Sequence, residues 1–495
     1  MSQEGRTETA RLALRSVIYV ASTDYLLQAF SIALSILLTR IVAPDAFGVL
    51  AMALAIRSFA GIPFAFGLNW VYISRQDPTP AESSTHLLLS TALTAILSLA
   101  IIVASPVLRS FYRPEVVRVL IIMAILWLFS DRALASTPQC MLKRELRYVR
   151  LSALSVISTL TSYVLAIGAA FFGLGIWTLV IREASKTLIN LVGVWILSRW
   201  RPLMTFDWAA AKNFLRQGFQ VWFQSISTLV VLRYDDLIVG NLAGVETLGY
   251  YERAYKYAQA PMGLLSAIYA VTFPTFAQIQ RDWTALSRAY TLVLDAIAII
   301  VFPIGALFAI VATEFVTLLL GSIWLPVVPM LRALLPYALL RPIGDASFQL
   351  PIATGQTHVI PRIAILQVIV MLLICTPMTY FWGGVGAGLS AGVVQLASLL
   401  ILHRLFLSKW LTVDYGRILF WPLLSIILGS VVAIGLHAFM TPGTVAASLI
   451  LKTGSFSAAY VTSLWLFQRA RLKSQARYLL ERLLQKKKMR RDAGG

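Results

Sequence analysis

THLLLSTALTAILSLAIIVASPVL, residues 85–108, runs for 24 residues without an Asp, Glu, Lys or Arg. At the helical rise of about 1.5 Å per residue it reaches about 36 Å, enough to cross the hydrocarbon core of a bilayer. It lacks the two-residue alternation that strands of a membrane barrel require. Thirteen comparable stretches lie on either side: 16–39, 46–72, 116–137, 151–172, 175–198, 218–242, 250–277, 289–312, 325–353, 360–381, 384–403, 418–439 and 444–467. The chain of 495 residues is 58% hydrophobic and 13% charged, far from the balance of a soluble domain. The expected fold is an all-α integral membrane protein of about fourteen transmembrane helices, with no room for a sizeable soluble domain.

Lys and Arg collect on the cytoplasmic side of bacterial membrane proteins. Placing both termini inside puts the richest basic pieces there: Lys143 to Arg150, Arg199 to Arg216, and the tail holding Lys486, Lys487, Lys488, Arg490 and Arg491. The net charge of +20 therefore reports topology, and nucleic-acid binding is not needed to explain it. The tail interleaves bases with Leu479, Leu480, Leu483 and Leu484, a spacing that suits a helix lying on an anionic lipid surface or a solvated anchor. Trp70, Trp177, Trp200, Trp208, Trp382 and Trp410 fall near span ends, where an interfacial aromatic belt belongs. Met1 to Arg15 mixes acids, bases and hydroxyls, so the first span is expected to stay in the mature protein. Cys140 and Cys375 are far apart, and the four histidines show no paired spacing. Neither a disulfide, a metal nor a cofactor is expected.

An internal repeat is expected too. Ala43-Pro44-Asp45-Ala46-Phe47-Gly48 returns 201 residues later as Gly244-Val245-Glu246-Thr247-Leu248-Gly249, and Gly173-Leu174-Gly175 is echoed by Gly384-Val385-Gly386. Six spans separate the equivalents, so two pseudo-symmetric six-helix lobes would share one orientation about an axis along the membrane normal. The expected division is 1–200 and 201–410 for the lobes, 411–468 for helices 13 and 14, and 469–495 for the basic cytoplasmic tail.

Ionisable groups at bilayer depth are costly and face a protein interior or a wet cavity, so they carry the functional information. The basic set is Arg57, Arg182, Lys186, Arg233, Arg253, Lys256, Arg332 and Arg341. The acids at similar depth are Asp24, Glu183, Asp235, Asp236, Asp295 and Asp345, with Glu252 at a span end. The small excess of bases points to a central cationic cavity for an anionic substrate such as a phosphate or pyrophosphate. Arg182 and Lys186 share a helix face, and the i,i+4 spacing of Arg341 and Asp345 allows them to pair. Asp24, Asp236 and Asp345 are candidates for ion coupling or charge pairing. Pro63, Pro261, Pro274, Pro303, Pro336, Pro342 and Pro351 lie in spans, where proline permits bending.

One family matches these landmarks. Asp236, Gly240, Gly244, Leu248-Gly249, Tyr251 and Ala254, then Phe273-Pro274 and Asp282, with Arg40, Pro44 and Phe47-Gly48 near the start and Gly173, Gly175 and Trp177 between them, resemble the polysaccharide transporter branch of the multidrug/oligosaccharidyl-lipid/polysaccharide exporter superfamily. These are the lipopolysaccharide and exopolysaccharide repeat-unit flippases. The resemblance implies two six-helix lobes opening alternately around a cationic cavity. It implies a substrate of polyprenyl (undecaprenyl) pyrophosphate bearing an oligosaccharide, translocated across the bacterial inner membrane among membrane lipids, with the polysaccharide polymerase and chain-length machinery as downstream partners. Arg57, Arg233 and Arg341 are then the expected pyrophosphate contacts, with Arg182, Lys186, Arg253 and Lys256 extending the basic track. No catalytic residue is implied.

Three competing readings remain at this level: a lipid II flippase, an ion-coupled multidrug exporter of the same superfamily, and a membrane polymerase, ligase or acyltransferase. A pump for cationic drugs should have an acidic cavity, whereas bases are in excess here. An enzyme needs a positioned base, nucleophile or metal, and the short outer loops offer no such constellation beyond Glu246 and Glu252.

Overall fold

The computed structural model describes residues 27–62, 67–203, 205–260 and 266–492, all helix, turn or connection with no strand among them. Asp24, Pro63 and Pro261 lie outside the described residues, as do the first residues of the first span. The helices are α1 (Leu27–Ile41), α2 (Pro44–Ala60), α3 (Leu68–Ser74), α4 (Pro80–Phe111), α5 (Pro114–Trp127), α6 (Ser136–Arg144), α7 (Tyr148–Phe171), α8 (Ile176–Ser198), α9 (Trp208–Leu242) and α10 (Val245–Ala258). They continue as α11 (Ser266–Gln278), α12 (Trp283–Phe315), α13 (Val327–Ala353), α14 (Val359–Leu402), α15 (Ser408–Trp410), α16 (Tyr415–Met440) and α17 (Val445–Asp492).

Local chemistry sets many of the starts. Proline opens α2, α4 and α5, where its missing N–H costs nothing. Thr79 and Glu82 close a reciprocal capping box on α4, and the carboxylates of Asp207, Asp282 and Asp414 cap α9, α12 and α16.

Every one of the fourteen expected spans is occupied by helix, but the number of crossings is not simply fourteen. Among the described residues six helical stretches are long and apolar enough to cross a membrane, up to seven if the α1–α2 pair, bent by 120°, is taken as one span. Three expected spans are divided: 46–72 into α2 and α3, 116–137 into α5 and α6, and 250–277 into α10 and α11. Spans 360–381 and 384–403 are two helices within the range α14, divided where expected by a non-helical turn at Gly383 (φ 56°, ψ −138°). Gly175, before α8, has nearly the same geometry (φ 52°, ψ −122°), so by backbone the echo pairs Gly175 with Gly383, three residues from the alignment by sequence. Such positive φ values are open to glycine at little cost. The tail continues α17 without a break as far as Asp492.

One large apolar core joins α1, α2, α4, α5, α7 to α10 and α12 to α14, and a second is built from α11 to α14 and α16. Helices α16 and α17 pack on α12 through Ala433, Phe456, Tyr460 and Leu464. At the centre α2 crosses α10 at two glycines. A Cβ on Gly48 would sit 1.7 Å from the Val245 carbonyl oxygen, and one on Gly249 2.1 Å from that of Pro44. These are the glycines that end the two echoed hairpin motifs, and each lets the other backbone approach.

Candidate substrate-binding site

The close crossing places α10 where α1, α7 and α8 converge. Lys256 donates to Ser35 Oγ at 2.6 Å and reaches the Tyr163 hydroxyl at 3.5 Å. Arg253, buried, donates to the same Ser35 oxygen at 3.0 Å, closes on Glu252, and lies 4.3 Å over the Phe47 ring. Arg182 stacks over the other face of this group, its guanidinium 5.6 Å from the Tyr163 ring centre, and pairs with Glu183 at 2.6 Å. Three of the expected bases, Arg182, Arg253 and Lys256, thus meet around Ser35 and Tyr163. Lys186, one turn further along α8, is exposed and has no carboxylate within 4 Å among the described residues.

The opposite face of α10 is a chain of tyrosines. Tyr251 donates to Asp235 at 2.7 Å, and the hydroxyls of Tyr255 and Tyr337 lie 3.0 Å apart with their rings stacked. Arg341 bonds Tyr337 at 3.0 Å and pairs with Asp345 at 2.9 Å. Arg233 pairs with Asp236 at 3.0 Å, although its side chain remains 43% exposed. Arg341 and Arg233 therefore each begin with a carboxylate on their own helix, one turn away. Arg332 is exposed and bonds the Ala309 carbonyl, away from the other bases.

Arg57 stands apart from both groups. Its Nη1 donates to the Met123 carbonyl at 3.2 Å, its guanidinium lies 4.8 Å from the Trp127 ring centre, and its buried Nε has no partner. It opens on a cavity of about 190 Å³ at the place where α2 and α5 both stop. Arg132, Asp131 and Thr187 line that cavity with Glu183. Asp131 and Arg132 are absent from the expected site, although an adjacent acid and base inside the apolar stretch 116–137 is the available signal of a broken span.

A family model described as polysaccharide biosynthesis protein matches residues 37–329, which contain Arg57, the α10 cluster and the glycine crossing. The chain belongs to this family. Among relatives of this polysaccharide biosynthesis protein, the teichuronic acid biosynthesis protein TuaB of Bacillus subtilis (strain 168) is 27% identical over 60% of the chain and 62% of its own length. The succinoglycan biosynthesis transport protein ExoT of Rhizobium meliloti (strain 1021) is 26% identical over 60% of each. The chain thus spans about three fifths of these two proteins. The lipopolysaccharide biosynthesis protein WzxC of Escherichia coli (strain K12) is 22% identical over 77% of the chain and 78% of its own. Among solved structures, the lipid II flippase MurJ in an inward closed conformation superposes with a TM-score of 0.73 at 13% identity, over 92% of this chain and all of that one. An inward-facing multidrug resistance MATE family transporter of the MOP superfamily gives 0.54 at 16% identity over 78% and 95%. The polysaccharide biosynthesis protein is a multi-span membrane protein with the MurJ and MATE fold.

Proposed function

We propose that this protein is a flippase, not an enzyme, that carries polyprenyl-pyrophosphate-linked oligosaccharide repeat units across the bacterial cytoplasmic membrane by alternating access, for lipopolysaccharide or exopolysaccharide assembly. The observation that carries this reading is a pair of half-buried bases in the apolar spans, Arg57 and Lys256, that make no ion pair among the described residues, beside the exposed and equally unpaired Lys186 and Arg332. Each unpaired base there costs about 3 kcal/mol or more. Their retention in apolar spans calls for an anionic ligand. In a polysaccharide biosynthesis protein, the pyrophosphate of a lipid-linked sugar supplies that anion.

In this reading residues 1–200 and 201–410 are six-helix lobes, α16 and α17 with residues 411–468 are an appendage, the tail at 469–495 and the amino terminus are cytoplasmic, and the chain crosses fourteen times. The pyrophosphate rests between the lobes on Lys256, Arg253 and Arg182, with Arg57 and Lys186 beside it. Arg233 and Arg341, closed on Asp236 and Asp345, line the far wall, where those two acids serve charge pairing. Polymerase and chain-length proteins receive the product.

The test is the sidedness of lipid-linked oligosaccharide in a deletion strain, measured beside surface polymer. Accumulation in the cytoplasmic leaflet with loss of polymer is expected, and Lys256→Gln at equal protein level should reproduce it. Normal lipid-linked intermediates in the deletion strain would overturn the proposal. Rescue of peptidoglycan synthesis instead would reassign the cargo to lipid II.

A further inference from the structure

The cavity beside Arg57 differs in chemistry from the basic cluster on α10. We propose that it is a sugar subsite, which holds the pyranose ring nearest the pyrophosphate and so sets which repeat units are carried; this rests on the flippase reading above.

Its walls present both donors and acceptors. Arg57 and Arg132 bring guanidiniums, neither with a carboxylate within 4 Å among the described residues, while Asp131 and Glu183 bring carboxylates and Thr187 a hydroxyl. Both bonds from Arg182 fall on Glu183 Oε1, which leaves Oε2 to accept from a ligand. Carboxylates in the wall oppose a phosphate but accept hydrogen bonds from vicinal hydroxyls, and the guanidiniums donate to ring and hydroxyl oxygens. This mixture suits a polyol better than an anion.

The donors are also held in place. The guanidiniums of Arg57 and Arg132 lie 4.8 and 5.4 Å from the centre of the same Trp127 ring, and that ring is itself buried. Cation–π contact fixes both without using up their N–H groups, so little ordering remains to be done on binding. At about 190 Å³ the cavity has room for a sugar ring.

Position completes the argument. Glu183 lines the cavity and its neighbour Arg182 belongs to the cluster with Tyr163, Arg253 and Lys256. A site with phosphate chemistry therefore abuts one with polyol chemistry, in the order in which a lipid-linked glycan carries its pyrophosphate and first sugar.

The experiment uses the full chain in lipid nanodiscs and measures affinity for bare undecaprenyl pyrophosphate and for the same lipid bearing one glucose, galactose or N-acetylglucosamine. The wild type should prefer at least one glycosylated lipid by about tenfold or more, the effect of a charged hydrogen bond. Asp131→Asn and Thr187→Val should each erode that preference and leave affinity for the bare lipid unchanged, with thermal unfolding confirming intact protein. Equal wild-type affinity for bare and glycosylated lipids overturns the sugar subsite while the flippase reading stands. Parallel loss of both affinities in the variants assigns the cavity to the pyrophosphate and also overturns it. Failure of the wild type to bind any of these lipids sinks the flippase reading and the subsite together.

Discussion

Helices α2 and α10 begin alike and end alike. Each follows a tight connection, crosses the other at a glycine, and stops after about four turns where its span is broken. Their side chains have nothing else in common. Helix α2, PDAFGVLAMALAIRSFA, buries eleven mostly apolar residues and has one base beyond its first turn, whereas α10, VETLGYYERAYKYA, carries two acids, two bases and four tyrosines. The backbone crossing is shared by the two helices, and the chemistry sits on one of them. Geometry common to both helices should be needed for folding, and polar groups particular to α10 for function.

The sharpest way to break this comparison is at the crossing. Gly48→Ala or Gly249→Ala drives a methyl into main-chain oxygen, which no side-chain rotation relieves, so α2 and α10 must separate. Destabilisation beyond about 3 kcal/mol is expected, read as loss of folded protein in detergent, against a neutral Gly435→Ala, whose surroundings are open. If either crossing variant melts with the wild type, α2 and α10 do not meet at these glycines.

Next in size is the contrast between clustered and isolated bases. Lys256→Gln keeps a donor for Ser35 but removes the charge, and polymer export should fall at least tenfold with folding intact. Arg332→Gln, at an exposed site bonded to Ala309 and Thr313, should export normally. Equal loss in both would mean that charge content, not the α10 cluster, is what matters.

Smaller still is the tyrosine chain. Tyr255→Phe removes one hydrogen bond to Tyr337 and leaves the stacked rings, a loss of about 1 kcal/mol in stability measured by thermal or denaturant unfolding. The weakest contact belongs to α2. Arg113 pairs with Asp45 at 2.5 Å but both are about half exposed, so Arg113→Ala should cost less than about 1 kcal/mol and leave export unchanged.

Much of this was legible in the residues because hydropathy and i,i+4 spacing are local. All fourteen apolar stretches hold helix, and the Arg341–Asp345 pair lies where its spacing allows. The breaks were harder to read. Ile62-Pro63 and Pro261 sit beside two of them, yet proline also occurs inside unbroken α12 and α13, at Pro303, Pro336 and Pro342. A proline licenses a bend without deciding between bend and break, since neighbouring helices settle how the freed carbonyl is satisfied. Ser35, Tyr163 and Trp127 as partners of the bases could not be read at all. They lie 221, 93 and 70 residues from Lys256, Lys256 and Arg57, so only packing brings them into contact. The register of the second echo failed for a similar reason: glycine-rich strings align in several ways, and the backbone angles at Gly175 and Gly383 single out one.

Helix α17 is 48 residues of unbroken helix, about 72 Å along its axis, against a hydrocarbon core of about 30 Å. More than half of it cannot be inside the bilayer. A span takes up about 20 residues, so about 28 are left as a helical arm, which carries the basic stretch from Arg469 onward.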